Sequence, residues 1–95
     1  MIKRDQKNNI GITISPNPVI GSDKATVNLK TAANGNAELK VLDLSGRILL
    51  RQQNRVTEGS NSITLNNLDK LQAGLYFLQV LNGTEVNTTK FTIGK

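Results

Sequence analysis

Apolar residues recur at every second position in most apolar stretches of this chain, and that period constrains the fold more than any other feature. Ile10, Ile12 and Ile14 share one side of the first run, with Gly11 and Thr13 on the other. Ala25, Val27 and Leu29 repeat the pattern in "KATVNLK", and Ala37, Leu39 and Val41 repeat it in "NGNAELKVLDLSGRILL". Ile63 and Leu65 fall together in "SNSITLNNL". A period of two is that of an extended strand with one face against a core and the other in water. Asn34-Gly35, Ser45-Gly46 and Asn82-Gly83 supply turns between the runs. About seven short strands result, with no stretch of comparable helical periodicity. The expected fold is all-β, an immunoglobulin-like antiparallel β-sandwich.

Ninety-five residues suit one such domain. At this size a chain hides only roughly 60–65% of its unfolded surface, so the core must be continuous. There is no cysteine and no histidine. Packing rather than disulfides must hold the fold, and thiolate-zinc sites and histidine acid–base catalysis are excluded. The carboxylates Asp5, Asp23, Glu38, Asp43, Glu58, Asp69 and Glu85 stand singly, without the close pair or alternating cluster that acid–base work or calcium binding requires. Glycines also fall singly, so no loop is built to cradle phosphate. Neither enzymatic activity nor a cofactor is expected.

The net charge of +5 includes Lys3, Arg4 and Lys7 in the polar, aperiodic leader Met1–Asn9. Residues 1–11 read as a tail or linker, and residues 12–95 as the folded domain. The remaining cations are dispersed and lack interleaved aromatics, so no nucleic-acid partner is expected. No apolar run approaches the ~20 residues of a membrane span, and membrane insertion is not expected. The leader lacks the apolar core of a signal peptide, so export would need a signal on a longer precursor. Asn82 and Asn87 open the tripeptides "NGT" and "NTT", which match the glycosylation pattern but are common by chance.

The last hairpin carries a register argument. Tyr76, Leu78 and Val80 share a face, as do Thr89, Phe91 and Ile93. A two- or four-residue loop at Asn82-Gly83 lets the two sets coincide, whereas a one-residue slip puts Lys90 opposite Tyr76 and spoils the core. The opposite face carries Leu75, Phe77 and Leu81, and "VLDLSGRILL" adds Leu42, Leu44 and Leu49. A sandwich sheet needs only one apolar face. These residues are covered by a loop or by the parent protein, or they form a docking face for another protein.

Both prolines fall in "ISPNPV", from Ile14 to Val19. Proline removes a backbone donor and holds the residue before it extended, so Ser15–Pro18 is expected to form a stiff, unpaired rod that ends the first strand. "ISPNPV", "VLDLSGRILL" and "LQAGLYFLQVLNGTEVNTTKFTIGK", in this order, resemble the type A C-terminal sorting domain of proteins exported by the type IX (Por) secretion system of the Bacteroidetes. The resemblance covers Ile12 to Lys95. It implies an immunoglobulin-like domain that labels a larger cargo protein, carries it from the periplasm through the outer-membrane type IX translocon, and is removed by a sortase-like surface peptidase. The parent protein would then reach the cell surface or the medium.

Carried over by position, the resemblance places sorting motifs at Pro16, Asn17 and Pro18, at Asp43, Gly46 and Arg47, and at Gly74 and Tyr76. It places the terminal export strand at Lys90, Phe91, Thr92, Ile93, Gly94 and Lys95, where Gly94 departs from the commoner Lys-Leu-Ile-Lys ending. Each residue also has an ordinary structural reading. Gly46 and Gly74 suit positive φ at turns, Asp43 can pair with Arg47 across a turn, and Tyr76 can anchor the core. The last strand is expected at a sheet edge, where it can be peeled or augmented. Cleavage is expected within Met1–Gly11. The competing function is an adhesive or glycan-binding module of a surface protein, for which Phe77 is the obvious aromatic platform. A plain structural spacer would tolerate transfer to the middle of a chain, whereas a sorting domain would require a free C-terminus.

Overall fold

The computed structural model describes residues 11–94. Met1–Ile10, which hold nearly all of the expected cleavage region, and Lys95 of the terminal segment lie outside the described residues.

Among the described residues eight strands run in chain order: β1 (Ile12–Ser15), β2 (Val19–Ile20), β3 (Ala25–Thr31), β4 (Gly35–Leu42), β5 (Ile48–Val56), β6 (Gly59–Leu65), β7 (Gly74–Asn82) and β8 (Glu85–Gly94). A 3₁₀ turn, Leu68–Lys70, links β6 to β7. The strands form a three-stranded sheet in the order β1-β3-β6 and a five-stranded sheet in the order β2-β8-β7-β4-β5. The chain crosses between sheets after β1, β2, β3, β5 and β6, as an immunoglobulin-like sandwich requires.

The core sits between the sheets, and alternation builds it. Ile12 and Ile14 from β1, Val27 and Leu29 from β3, and Ile63 and Leu65 from β6 face Leu39, Val41, Leu78, Val80, Phe91 and Ile93 of the larger sheet. Every one of these side chains is buried. The outward face of the smaller sheet carries only short polar residues and one lysine: Thr13, Ser15, Thr26, Asn28, Lys30, Ser60, Ser62 and Thr64.

The last hairpin has the expected register. Tyr76 lies opposite Phe91 and Leu78 opposite Thr89, while Lys90 lies opposite Phe77 on the outer face. The connection is the two-residue loop Gly83–Thr84, with Gly83 at φ 62°. Glycine at the first central position is the pattern of II′ hairpins, whose twist matches that of the strands.

The structure departs from the sequence-based expectations in the following parts of the fold. Pro16–Pro18 do not form a free rod: they make the corner at which the chain leaves the smaller sheet and joins the larger one as β2. Two residues are too few to show a period, so this eighth strand has no sequence signature. β8 is not a free sheet edge along its whole length, because β2 pairs outside its last two residues, Ile93 and Gly94. Finally, the apolar outer face is smaller than expected. Leu44 sits in the Asp43–Arg47 turn at 63% exposure, and a register shift in the β4–β5 pairing lets Leu49 pack against the core.

Candidate functional site: the motif end of the five-stranded sheet

Strand order gathers the separated motifs at one end of the larger sheet. β4 ends at Leu42 beside Phe77, β7 begins at Gly74 opposite Ile93, and β8 ends beside β2. Reading across the sheet, the Pro16–Pro18 corner, the last residues of β8, Gly74–Tyr76 and the Asp43–Arg47 turn follow one another. None of these contacts is local in sequence.

Asn17 joins the first motif to the last. Its side-chain Oδ1 accepts a hydrogen bond of 3.0 Å from the backbone N–H of Thr92. Two residues later, β2 pairs in parallel with β8, Val19 opposite Ile93 and Ile20 opposite Gly94. Val19 is 1% exposed and fixes the segment to the core. Ile20 lies across Gly94, where a Cβ would stand 3.1 Å from Ile20 Cγ1. A side chain at position 94 would press on Ile20, which is 56% exposed and can give way by a few tenths of an ångström.

Gly74 and Tyr76 differ from each other in role. Gly74 has no positive φ, so the turn explanation fails for it; it is the first residue of β7. Tyr76 is a core anchor, with its ring 5.9 Å from that of Phe91 and its hydroxyl donating to the Gln72 carbonyl at 2.6 Å. A tyrosine bonded back to the chain just upstream of its own strand, where the chain passes between sheets, is the corner arrangement of immunoglobulin-like sandwiches.

Asp43 organises its turn more thoroughly than a simple ion pair would. Oδ1 accepts from Ser45 N, Ser45 Oγ and Arg47 N at 3.0, 2.8 and 2.9 Å, while Oδ2 lies 3.3 Å from Arg47 Nε. These donors, the Arg47 backbone N–H foremost and then the Ser45 hydroxyl, lower the Asp43 pKa from 3.8 to about 2. Gly46 completes the turn at φ 92°, as expected.

Leu75, Phe77 and Leu81 all lie on the outward face of the larger sheet. They do not form one patch. Phe77 neighbours Leu42, and Leu81 neighbours Val86, while the row Lys40–Gln79–Thr88 separates the two groups. Leu75 is 40% exposed, and Phe77 and Leu81 are half-buried. The asparagines of both glycosylation-like tripeptides are buried, at 9% for Asn82 and 8% for Asn87. Neither is presented to a transferase.

Sequence reasoning missed Val19, Ile20 and the Gln72 carbonyl. A buried valine just past a proline carries no periodicity, and a backbone acceptor carries no residue-type signal at all.

No curated protein matches the chain. Among solved structures, the chain is similar to PorZ, an essential bacterial surface component of the type IX secretion system of Porphyromonas gingivalis, with a TM-score of 0.63 at 19% identity. The similarity covers 90% of this chain but 12% of PorZ, so it concerns the fold of one domain. A mutant β-glucosidase from Listeria innocua, solved with laminaribiose, is more distant, at a TM-score of 0.46, 12% identity and coverage of 88% and 16% of the two chains. The sequence model of the secretion system C-terminal sorting domain matches residues 13–94, from β1 to the last residue of β8, and the chain belongs to that family, the secretion signals of the type IX system.

Proposed function

We propose that residues 12–95 act as a detachable address that the outer-membrane type IX translocon reads on a larger cargo protein. A sortase-like surface peptidase then cuts within residues 1–11, and the cargo is released or retained at the surface. The family is one of sorting signals and not of enzymes, and a signal of this kind implies export to the cell surface or the extracellular space. The observation that carries the finer reading is the gathering of all four motifs at one end of the five-stranded sheet. A composite feature of that kind suits recognition by another protein better than it suits chemistry on a small molecule. The outward-facing Leu75 and Phe77, which lie at that end, are the side chains proposed to meet the machinery.

The test is a transplant. A fluorescent protein bearing a Sec signal is fused to Met1–Lys95 and expressed in a type IX-secreting bacterium, beside a copy lacking Lys90–Lys95. Translocon-dependent fluorescence at the surface or in the medium, lost on truncation, is the expected outcome. Retention of both fusions in the periplasm would favour an adhesive module instead, and a glycan screen would follow.

A further inference from the structure

β8 pairs fully with β7 along one edge, yet its other edge is covered only at the end. β2 reaches two residues, Ile93 and Gly94, and nothing among the described strands pairs with the stretch from Glu85 to Phe91. In an antiparallel pair, successive residues turn their N–H and C=O alternately toward and away from the partner. The Thr92 N–H points away from β7, since it bonds Asn17. Val86, Thr88 and Lys90 therefore also present their backbone groups to the uncovered side, and all three are exposed.

The cover is also incomplete in kind. Running the Val19–Ile93 register back by two residues sets position 17 opposite Phe91. There the main-chain carbonyl of a continuing parallel strand would serve Thr92. The chain instead turns at Pro16–Pro18, and the Asn17 side-chain oxygen occupies the acceptor position. An edge completed by a side chain and a two-residue strand is one that a longer strand can take over.

We propose that the outer edge of β8 is a strand-addition site, and that Asn17 with β2 is its removable cover. The occupant is an extended strand of the recognising protein, which displaces Asn17 and both residues of β2, the buried Val19 included, and pairs with β8 from Val86 through Gly94. Main-chain hydrogen bonds would supply the binding, and the exposed Ile20 and Val86 mark the two ends of the edge. This rests on the export reading for the identity of the partner, but the edge itself can be examined without it.

Two measurements test it. Amide hydrogen exchange on the 95-residue chain compares the wild type with Asn17→Ala. The Thr92 amide should exchange at least about fivefold faster in the variant, with the central Leu78 amide unchanged, because one bond of ordinary strength has been removed. Unchanged exchange at Thr92 overturns the cover. In the second measurement, I20C/G94C locks β2 onto β8 in a chain that has no other cysteine. Replacing Ile20 removes the atoms that would crowd a side chain at position 94, and neighbouring strands stand at disulfide distance. Export of the fluorescent fusion carrying the double variant should be at least about tenfold lower in its oxidised form than in the same variant kept reduced, because only the disulfide differs between the two. Equal export of the oxidised and reduced forms overturns the proposal. Dimerisation of Asn17→Ala with undiminished export would assign the edge to a second copy and overturn it equally. Failure of the wild-type fusion to leave the cell would count against the export reading alone, and the exchange result would still decide the cover.

Discussion

Asn82 lies with its carboxamide over the Cα of Gly35: a Cβ at position 35 would stand 2.5 Å from Asn82 Oδ1. Asn82 cannot move aside cheaply, because its Nδ2 donates to Thr31 Oγ1 at 2.8 Å and to the Ala33 carbonyl at 2.9 Å. Glu85 extends the cluster by accepting from Thr31 Oγ1 and Ala32 N. The loop between β3 and β4 is thereby tied to the β7–β8 hairpin, at the far end of the sandwich from the Pro16–Pro18 corner and the Asp43–Arg47 turn. Gly35→Ala should destabilise the domain by about 1–3 kcal/mol, the usual cost of forcing extra volume into a packed site. A urea titration reads this as a lower midpoint at unchanged slope.

Tyr76 joins two separable contributions. Tyr76→Ala removes a buried ring packed on Phe91 and should cost roughly 3–5 kcal/mol. Tyr76→Phe keeps the ring and removes only the donor to Gln72, and should cost about 1–2 kcal/mol. Equilibrium unfolding of the two variants separates the packing from the bond; equal losses would mean that the hydroxyl carries the whole effect.

The two motif glycines should respond differently to alanine. Gly46 at φ 92° occupies a region that side chains avoid, so Gly46→Ala should destabilise by about 1 kcal/mol or more. At Gly74 a Cβ meets the Tyr76 ring at 3.9 Å, an ordinary contact on an unstrained backbone. Gly74→Ala should change stability by no more than about 0.5 kcal/mol. Thermal melts of the pair suffice. A large loss of export in Gly74→Ala with an unchanged melt would mark Gly74 as a contact residue.

Asp43 predicts an acid-side dependence. Its folded pKa, about 2, lies below the unfolded value of 3.8, so the ionised carboxylate stabilises the fold above that unfolded value. The contribution fades as the pH falls from about 4 towards 2, where the carboxyl protonates in both states. The stability gap between wild type and Asp43→Asn should therefore be constant near neutrality and shrink over that interval. Melts recorded from pH 7 to pH 2 check it, and a gap that widens on acidification would contradict the assignment.

The core, the turns and the pairing of Tyr76 with Phe91 were legible in the sequence, because alternation and turn chemistry are local. A side chain's face follows from its parity within a strand, and a two-residue turn then sets the register of a hairpin. The motifs could be read as motifs for the same reason, each being a short run of residue types. Only the tertiary structure decided that Pro16–Pro18 turn the chain from one sheet into the other, that Val19–Ile20 cover β8, and that Asn17 holds Thr92. It also decided that Leu49 faces the core and that the asparagine of "NGT" is buried. The physical reason is that strand order depends on which distant faces bury each other, through backbone hydrogen bonds that any residue can make. Residue types therefore specify which face of each strand is apolar, while the choice of neighbour is made by the whole sandwich at once.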